Sequence, residues 1–292
     1  MLAAFLFIRP SMIATSIISY INAICDCAGL WRTLEDIRPC KDECGRPIFI
    51  AGGSTIIFKV IHNGRLSKLK CFTRPKKNLD KIYKESFYPQ ELLVGVNMSQ
   101  AKYIDVVLEE WVEGISLEEA IIKNSQSTDF QLLAQLFDKM AIELLCQPWA
   151  HGDLKPSNII INNNKLTLID LDSLYHPAFS SKTTDEWGTK YYQHPLRGNS
   201  HAKFIDDYPI ALISTALHAL ALDSSLAKRY PIEDMLLISP YDAIENRDAA
   251  LAEIEELFQI HNKPIQEQIA LLLHFHSPSI PQLKRLLLQS MK

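Results

Sequence analysis

Hydrophobic and polar residues alternate in short runs within the first 110 residues, a pattern typical of β-strands. The runs cover residues 47–51, 56–62, 66–72 and 103–108. Gly52-Gly53-Ser54 separates the first two runs, and Asn63-Gly64 separates the second from the third. Asn-Gly between two such runs is a strong signal for a two-residue hairpin turn. This part of the chain is predicted to be rich in β-strands.

From residue 115 onward the apolar residues recur at intervals of three and four, which is typical of amphipathic helices. Helices are predicted to begin at residue 117 and to cover residues 130–146 and 206–222. Between them, the apolar runs 159–161 and 166–169 flank a polar turn at 162–164, which predicts a β-hairpin. The chain is therefore predicted to be α+β, with strands in its first part and helices in its second.

Charge and cysteine content narrow the classes of partner and compartment. A formal net charge of −4 over 292 residues leaves no broad basic surface, so nucleic acid is not expected as a partner. Four of the six cysteines form C-x-C and C-x₃-C pairs between residues 25 and 44. Neither pair has the common C-x₂-C spacing of zinc sites, so reduced cytoplasmic thiols are favoured over a metal site.

The first 24 residues are mostly apolar, but Arg9-Pro10 divides them into two runs. Each run is too short to span a bilayer, and a signal peptide would need basic residues before the apolar stretch. A helix packed on the domain is favoured here over a membrane anchor.

Three side chains that carry oxygen lie at the ends of the predicted hairpin. Asn158 directly precedes its first strand, Asp170 directly follows its second, and Asp153 lies in the loop before them. Folding the hairpin places Asn158 and Asp170 side by side, with Asp153 a short distance away. Such a cluster suits Mg²⁺ and triphosphate chemistry.

The loop sequence His151–Asn158, HGDLKPSN, resembles the catalytic loop H-R-D-L-x-x-x-N of the protein kinase superfamily, with Gly152 in place of arginine. Asp170-Leu171-Asp172 lies where D-F-G is expected. The resemblance implies that Asp153 accepts the proton of the substrate hydroxyl, and that Asn158 and Asp170 hold Mg²⁺. It also implies a bilobal kinase-like fold, with a small β-rich N-lobe and a larger helical C-lobe. The expected divisions are an N-terminal helical extension packed on the domain over 1–44, the N-lobe over 45–110 and the C-lobe over 111–292.

Under the same resemblance, residues of the N-lobe bind ATP. Backbone N–H groups at Gly52 and Gly53 would reach its phosphates, although the G-x-G-x-x-G pattern is incomplete. Lys70 resembles the V-A-I-K lysine that binds the α- and β-phosphates, with Lys68 as the alternative on the same strand face. The glutamate that pairs with this lysine is expected at Glu85 on the helix over 77–87, with Glu91 as the alternative.

The sequence 109–114, EEWVEG, is similar to the kinase hinge. Backbone groups from Glu110 to Val112 would then hydrogen-bond the adenine edge of ATP. Glu109 takes a position at the back of the purine pocket, where a carboxylate is costly without a partner. Lys70 is the candidate for that partner.

The sequence 188–195, GTKYYQHP, resembles the end of the kinase activation segment, with Leu196-Arg197 in place of the closing glutamate. In Ser/Thr kinases the threonine of this motif contacts the catalytic aspartate and the lysine two residues after it. Thr189 and Lys155 are both present, which favours a protein hydroxyl as the acceptor. Asp206 looks like the residue that anchors the backbone of the catalytic loop. Candidate phosphorylation sites precede this motif, at Ser180, Ser181, Thr183 and Thr184.

The expected function is ATP- and Mg²⁺-dependent phosphoryl transfer to serine or threonine hydroxyls of a protein substrate, in the cytoplasm and without a membrane anchor. The first alternative is a pseudokinase, a nucleotide-binding or scaffold module, because the glycine loop is sparse, the helix before Glu85 is short and Glu109 is unusual. A small-molecule kinase is the third interpretation. It draws on Gly152, whereas Lys155 and Thr189 argue against it.

Overall fold

The computed structural model of the protein describes residues 17–25, 30–97, 99–123, 127–179, 187–230 and 235–291. The chain divides into two compact units, Met1–Trp111 and Val112–Lys292, which we call unit 1 and unit 2. This division lies one residue after the predicted boundary between residues 110 and 111. The structure is α+β, with an antiparallel sheet in unit 1 and mostly helices in unit 2.

Unit 1 is built on an antiparallel β-sheet. Its strands are β1 Ile37–Pro39, β2 Phe49–Ala51, β3 Thr55–His62, β4 Arg65–Phe72, β5 Phe87–Val94 and β6 Lys102–Glu110. Hydrogen-bonded neighbours follow the order β1-β3-β4-β6-β5, and β2 also pairs with β3. Asn63 and Gly64 join β3 to β4 with φ values of 49° and 75°, as a type I′ hairpin turn requires. The strands predicted from alternation are confirmed.

One face of this sheet forms a hydrophobic core. In β3 every second residue, Ile56, Phe58 and Val60, is at most 2% exposed, as expected for a strand with one buried face. The helix α1, Ile17–Cys25, packs Tyr20 and Ile24 into the same core. Strand β1 follows α1 and pairs with β3. The region predicted as a helical extension therefore also contributes a strand to the sheet.

The helix predicted over residues 77–87 is wrong in its length. Helix α2 covers only Leu79–Tyr83, and a 3₁₀ turn at Lys84–Ser86 leads directly into β5. Two features shorten it. Lys84 has φ 46° and ψ −116°, which is not helical, and Phe87 already pairs with Val107 of β6. The helix that the kinase resemblance implies is therefore cut short by pairing within the sheet.

Unit 2 contains a small sheet and a group of helices. Its elements are β7 Ile115–Ser116, α3 Leu117–Lys123, α4 Ser127–Leu145, β8 Ile159–Asn162, β9 Lys165–Leu168, α5 Asp207–Leu222, α6 Leu226–Arg229, α7 Pro240–Ala243, α8 Ala249–Ile260, α9 Pro264–Leu271 and α10 Leu283–Ser290. Helix α5 is apolar on nearly every side and is buried along most of its length, as expected for a central helix. Among the described helices, none is both long and apolar enough to cross a membrane.

The hairpin β8–β9 occupies the place that the sequence predicts for it. The two strands pair from Ile159 opposite Leu168 to Asn162 opposite Lys165. Asn163 and Asn164 form the turn with φ values of 47° and 59°, and asparagine tolerates this left-handed conformation. The hairpin brings the loop before β8 close to the residues after β9.

Candidate active site

The loop between α4 and β8 is anchored by a buried carboxylate at the start of α5. Asp206 is 1% exposed. Its Oδ2 accepts a hydrogen bond from the backbone N–H of His151 at 2.5 Å, and its Oδ1 accepts one from Gly152 at 2.9 Å. The prediction that Asp206 anchors the backbone of this loop is confirmed. Hydrogen bonds to an ionised acceptor are among the stronger ones in proteins, so the loop is held firmly just before Asp153.

The imidazole of His151 connects the same loop to the end of β9. The ring is fully buried. Its Nε2 lies 2.9 Å from the carbonyl oxygen of Ile169, and its Nδ1 lies 3.3 Å from the backbone nitrogen of Asp153. The carbonyl can only accept and the amide can only donate, so Nε2 carries the proton. The loop is thereby tied to the residue that directly precedes Asp170.

Asp153 lies at the centre of the candidate site. The backbone N–H of Thr189 donates to its Oδ1 at 2.5 Å. Its Oδ2 lies 3.3 Å from the amide nitrogen of Asn158 and 3.8 Å from the ammonium of Lys155. The carboxylate side chain is 17% exposed. Hydrogen-bond donors and a cation therefore hold an accessible carboxylate in a fixed orientation, as a general base requires.

The predicted metal ligands Asn158 and Asp170 stand at the two ends of the hairpin. The backbone N–H of Ile169 donates to the carbonyl of Asn158 at 3.0 Å, which aligns the two ends. Asn158 Nδ2 also donates to the backbone oxygen of Asp153 at 2.8 Å. This contact fixes the amide so that its Oδ1 points away from Asp153. Asp170 has φ 64°, a conformation that aspartate adopts more readily than most residues.

An amide oxygen and a carboxylate fit Mg²⁺, which prefers hard oxygen ligands and takes few of them from the protein. No group of three or more His, Cys, Asp or Glu side chains in the described residues could hold a metal ion. A metal bound by Asn158 and Asp170 would therefore need further oxygens, and nucleotide phosphates and water supply them at sites of this kind.

Gly152 and Gly188 permit the close approach of the segments around Asp153. Gly152 has φ 84°, and a Cβ there would lie 2.1 Å from the carbonyl oxygen of Ser173. Gly188 has φ 69°, and a Cβ there would lie 2.8 Å from the carbonyl oxygen of Gly152. A side chain is excluded at both positions. The glycine at 152, where kinases carry arginine, is thus required by the fold of this loop.

Thr189 contacts Asp153, as the resemblance implies, and the contact uses its backbone N–H. Within the described residues its hydroxyl has no hydrogen bond to Lys155. The side chain at 189 therefore does not indicate which kind of hydroxyl accepts the phosphoryl group. The expectation of a protein hydroxyl depends on Lys155.

Sequence reasoning missed Arg197, which is 4% exposed. Its Nη1 lies 3.1 Å from the carbonyl oxygens of both Gly152 and Trp187 and also donates to Gln193 Oε1. Its Nε donates to the carbonyl oxygen of Ser200 at 3.3 Å. Burial lowers the pKa of Arg197, and the charges of Asp206 and Asp153 oppose this effect. The side chain remains a cation.

Unit 1 contains the residues predicted to bind nucleotide, and two lysines of β4 differ sharply in their surroundings. Lys70 is fully buried, and its Nζ lies 5.9 Å from the ring centre of Phe72 and 6.0 Å from that of Tyr83. Lys68 Nζ lies 2.8 Å from Glu109 Oε2, because the two residues are directly opposite in the pairing of β4 with β6. Glu109 thus has a partner, but that partner is Lys68 instead of the expected Lys70.

The two glutamates weighed as partners of Lys70 have different positions. Glu85 lies on the 3₁₀ turn after α2 and is exposed, and its assignment stays a prediction. Glu91 is 2% exposed. Its Oε1 accepts from the backbone N–H groups of residues 32, 33 and 34 at 3.1, 2.7 and 2.6 Å, and its Oε2 accepts from the Thr33 hydroxyl at 2.7 Å. Glu91 holds the segment before β1, and its alternative assignment is wrong.

The glycine turn and the hinge residues have backbone positions that leave their predicted roles open. Gly52 and Gly53 are exposed between β2 and β3, and Gly52 N–H donates to the Thr55 carbonyl at 2.8 Å. Glu110 ends β6, and Val112 is the first residue of unit 2. Their contacts with ATP stay predictions. The candidate phosphorylation sites Ser180, Ser181, Thr183 and Thr184 lie outside the described residues.

Comparison with known proteins assigns no family. No family model matches the chain, and no curated protein shows significant similarity to it.

Proposed function

We propose that this protein is a cytoplasmic enzyme with a bilobal kinase-like fold that transfers the γ-phosphoryl group of ATP to serine or threonine hydroxyls of a protein substrate. The observation that carries the proposal is the convergence on Asp153 in unit 2. Three residues contact its carboxylate: Lys155, Asn158 and Thr189. Thr189 lies 36 positions after Asp153 in the chain. The spacing and residue types of the loop support the same chemistry.

Asp153 would act as the base. Its Oδ1 accepts from the Thr189 N–H at 2.5 Å, whereas the contact of Oδ2 with Asn158 Nδ2 is longer, at 3.3 Å. We therefore assign to Oδ2 the proton of the acceptor hydroxyl. The bond between that hydroxyl oxygen and the γ-phosphorus forms as the bond from the γ-phosphorus to the bridging oxygen of ADP breaks. Lys155, beside Oδ2, would neutralise charge on the transferred group. Mg²⁺ held by Asn158 and Asp170 would supply further neutralisation of the phosphates.

Most of the residues proposed to bind the nucleotide belong to unit 1, and Val112 is the first residue of unit 2. In this proposal the backbone at Gly52 and Gly53 and the ammonium of Lys70 bind phosphates, and backbone groups of Glu110 and Val112 bind adenine. The phosphate contact is assigned to Lys70 because its place on the strand resembles that of the phosphate-binding lysine of kinases. ATP with Mg²⁺ is therefore expected to stabilise the wild type and Lys68→Met but not Lys70→Met.

The test is transfer of labelled phosphate from ATP to a generic protein such as casein, with and without Mg²⁺. Asp153→Asn is expected to lower the rate at least about a hundredfold, because positioned general bases contribute about 10²–10⁴. Asp129→Asn is the matched control, since Asp129 is exposed on α4 of the same unit. Absence of Mg²⁺-dependent transfer by the wild type, or transfer by Asp153→Asn at the wild-type rate, would sink the enzyme proposal.

A second candidate function is a pseudokinase that binds nucleotide without turning it over. The observation that favours it is the five-residue length of α2, together with the exposure of Glu85. A thermal-shift titration separates the two, because a ligand at a hundredfold its Kd stabilises a protein by about 2.7 kcal/mol. Stabilisation by ATP without transfer to any acceptor would favour the pseudokinase.

A further inference from the structure

We infer that Arg197 is a positioning residue that sets the orientation of the Asp153 carboxylate by holding the backbone next to it. Its catalytic consequence rests on the proposed function, whereas its geometry does not. Arg197 follows the sequence GTKYYQHPL and stands near the place where the resemblance implies a glutamate. It is not expected to touch substrate, since it is 4% exposed.

A single nitrogen of Arg197 holds the two backbone segments that meet at Asp153. Nη1 lies 3.1 Å from the carbonyl oxygen of Gly152, whose peptide leads directly into Asp153. The same nitrogen lies 3.1 Å from the carbonyl oxygen of Trp187, two residues before Thr189. The hydrogen bond from Thr189 N–H to Asp153 Oδ1 closes the arrangement. Arg197 thereby fixes the separation of the catalytic aspartate from its backbone donor.

Two residues depart from the kinase pattern: Gly152 in the loop and Arg197 after the sequence GTKYYQHPL. The second departure compensates for the first. The loop lacks its usual arginine, because Gly152 has no room for a side chain beside the Ser173 carbonyl. Arg197 returns a cation to the same peptide from a different part of the chain. Asp206 holds the N–H of Gly152, and Arg197 holds its carbonyl. The peptide before Asp153 is thus bound on both sides.

The guanidinium is not placed for stability alone. Its Nη2 is buried and has no hydrogen-bond partner among the described residues. A buried, incompletely bonded cation is costly for a fold, and a well-packed apolar side chain often serves stability better. The charge at this position is thus better explained by the geometry of the loop than by stability.

The first test compares Arg197→Lys and Arg197→Met with the wild type in the full chain. A displacement of about 1 Å in a catalytic group lowers rates by about a hundredfold. We expect kcat to fall about tenfold or more in Arg197→Met, with KM for ATP within about twofold, and Arg197→Lys to recover part of the loss. Arg229→Met is the matched control. Arg229 bonds Asp223, Ser225 and Glu253 instead of the loop, and its loss should leave kcat unchanged.

Hydrogen exchange at the amide of Thr189, which donates to Asp153, tests the geometry without any need for activity. Exchange is expected to rise about tenfold or more in Arg197→Met and to stay at the wild-type rate in Arg229→Met. If the wild type transfers no phosphate, the proposed function fails and the exchange result alone decides on the positioning role. Unchanged exchange and unchanged kcat in Arg197→Met would overturn it. So would the unfolding of both Arg197 variants, since Arg197 would then serve the fold in general.

Discussion

Replacing Gly152 with alanine should displace the loop 151–158 by a distance that the structure allows us to estimate. The new Cβ would lie 2.1 Å from the carbonyl oxygen of Ser173, whereas close C···O contacts in proteins lie at about 3.3 Å. The loop or Ser173 must therefore move by about 1.2 Å. Neither can move freely, because Asp206 holds the N–H of Gly152 and Arg197 holds its carbonyl.

The expected loss of stability has two separable parts. An L-residue in the left-handed conformation costs about 1–2 kcal/mol relative to glycine, and Gly152 has φ 84°. Overpacking against fixed neighbours adds about 1–3 kcal/mol. Gly198→Ala is the matched control, since Gly198 also has a positive φ, 58°, but a Cβ added there would meet nothing within 4 Å. Gly198→Ala should therefore lose only the conformational contribution of about 1–2 kcal/mol.

Urea denaturation of the full chain, followed by circular dichroism, measures the difference. With an m value of about 2 kcal/mol/M, Gly152→Ala should unfold at a midpoint about 1 M lower than Gly198→Ala. If the proposed function holds, the displacement should also lower kcat by about a hundredfold. A Gly152→Ala variant as stable as Gly198→Ala would refute the steric argument and the account of why glycine occupies this position.

Two further substitutions test buried carboxylates. Burial raises the pKa of Asp207 to about 7, so its contribution to stability is fully present below the unfolded pKa of about 3.9 and is lost as the pH rises through 7. Asp207→Asn keeps an acceptor for the N–H of Ile280, and thermal denaturation should find it more stable than the wild type by up to about 4 kcal/mol at pH 8 but by only about 1.5 kcal/mol at pH 5. Glu91→Ala should cost at least about 3 kcal/mol, because three N–H groups of residues 32–34 lose their acceptor, and Thr33→Val should cost less. If Glu91→Ala left hydrogen exchange at the amides of residues 32–34 unchanged, the assignment of Glu91 as their acceptor would be wrong.

Local patterns predict the strands of unit 1 well, but not which residues meet across the sheet. Alternation and Asn63-Gly64 are sufficient to predict β3, β4 and their turn. Lys68 and Lys70 are equivalent by alternation. The pairing of β4 with β6 distinguishes them, since Lys68 lies opposite Glu109 and Lys70 opposite Val107. That register depends on how distant segments pair, which the alternation within one strand does not encode.

Motif spacing locates the residues of the candidate site, but it does not reveal their supports. Asp153, Asn158 and Asp170 follow from the pattern of loop and hairpin. Arg197 does not, because its acceptors are mostly backbone carbonyls and these have no signature in residue type. The sequence carried one signal for it. Arginine stands near the place of an expected glutamate, and the loop 151–158 has glycine where the kinase motif has arginine. The role of Glu91 was missed for a similar reason, since its donors are mostly the N–H groups of residues 32–34.

The supports of the loop 151–158 also bear on the choice between an enzyme and a binding module. Asp206, His151 and Arg197 contact backbone groups of this loop and of its neighbours. A binding module needs such anchors only to keep its loop folded, and it has no use for a defined orientation of Asp153. The short contact from Thr189 N–H fixes that orientation, and preorganised groups of this kind are what lower a reaction barrier. The anchors should therefore affect stability and rate together, whereas Asp153→Asn should affect the rate alone.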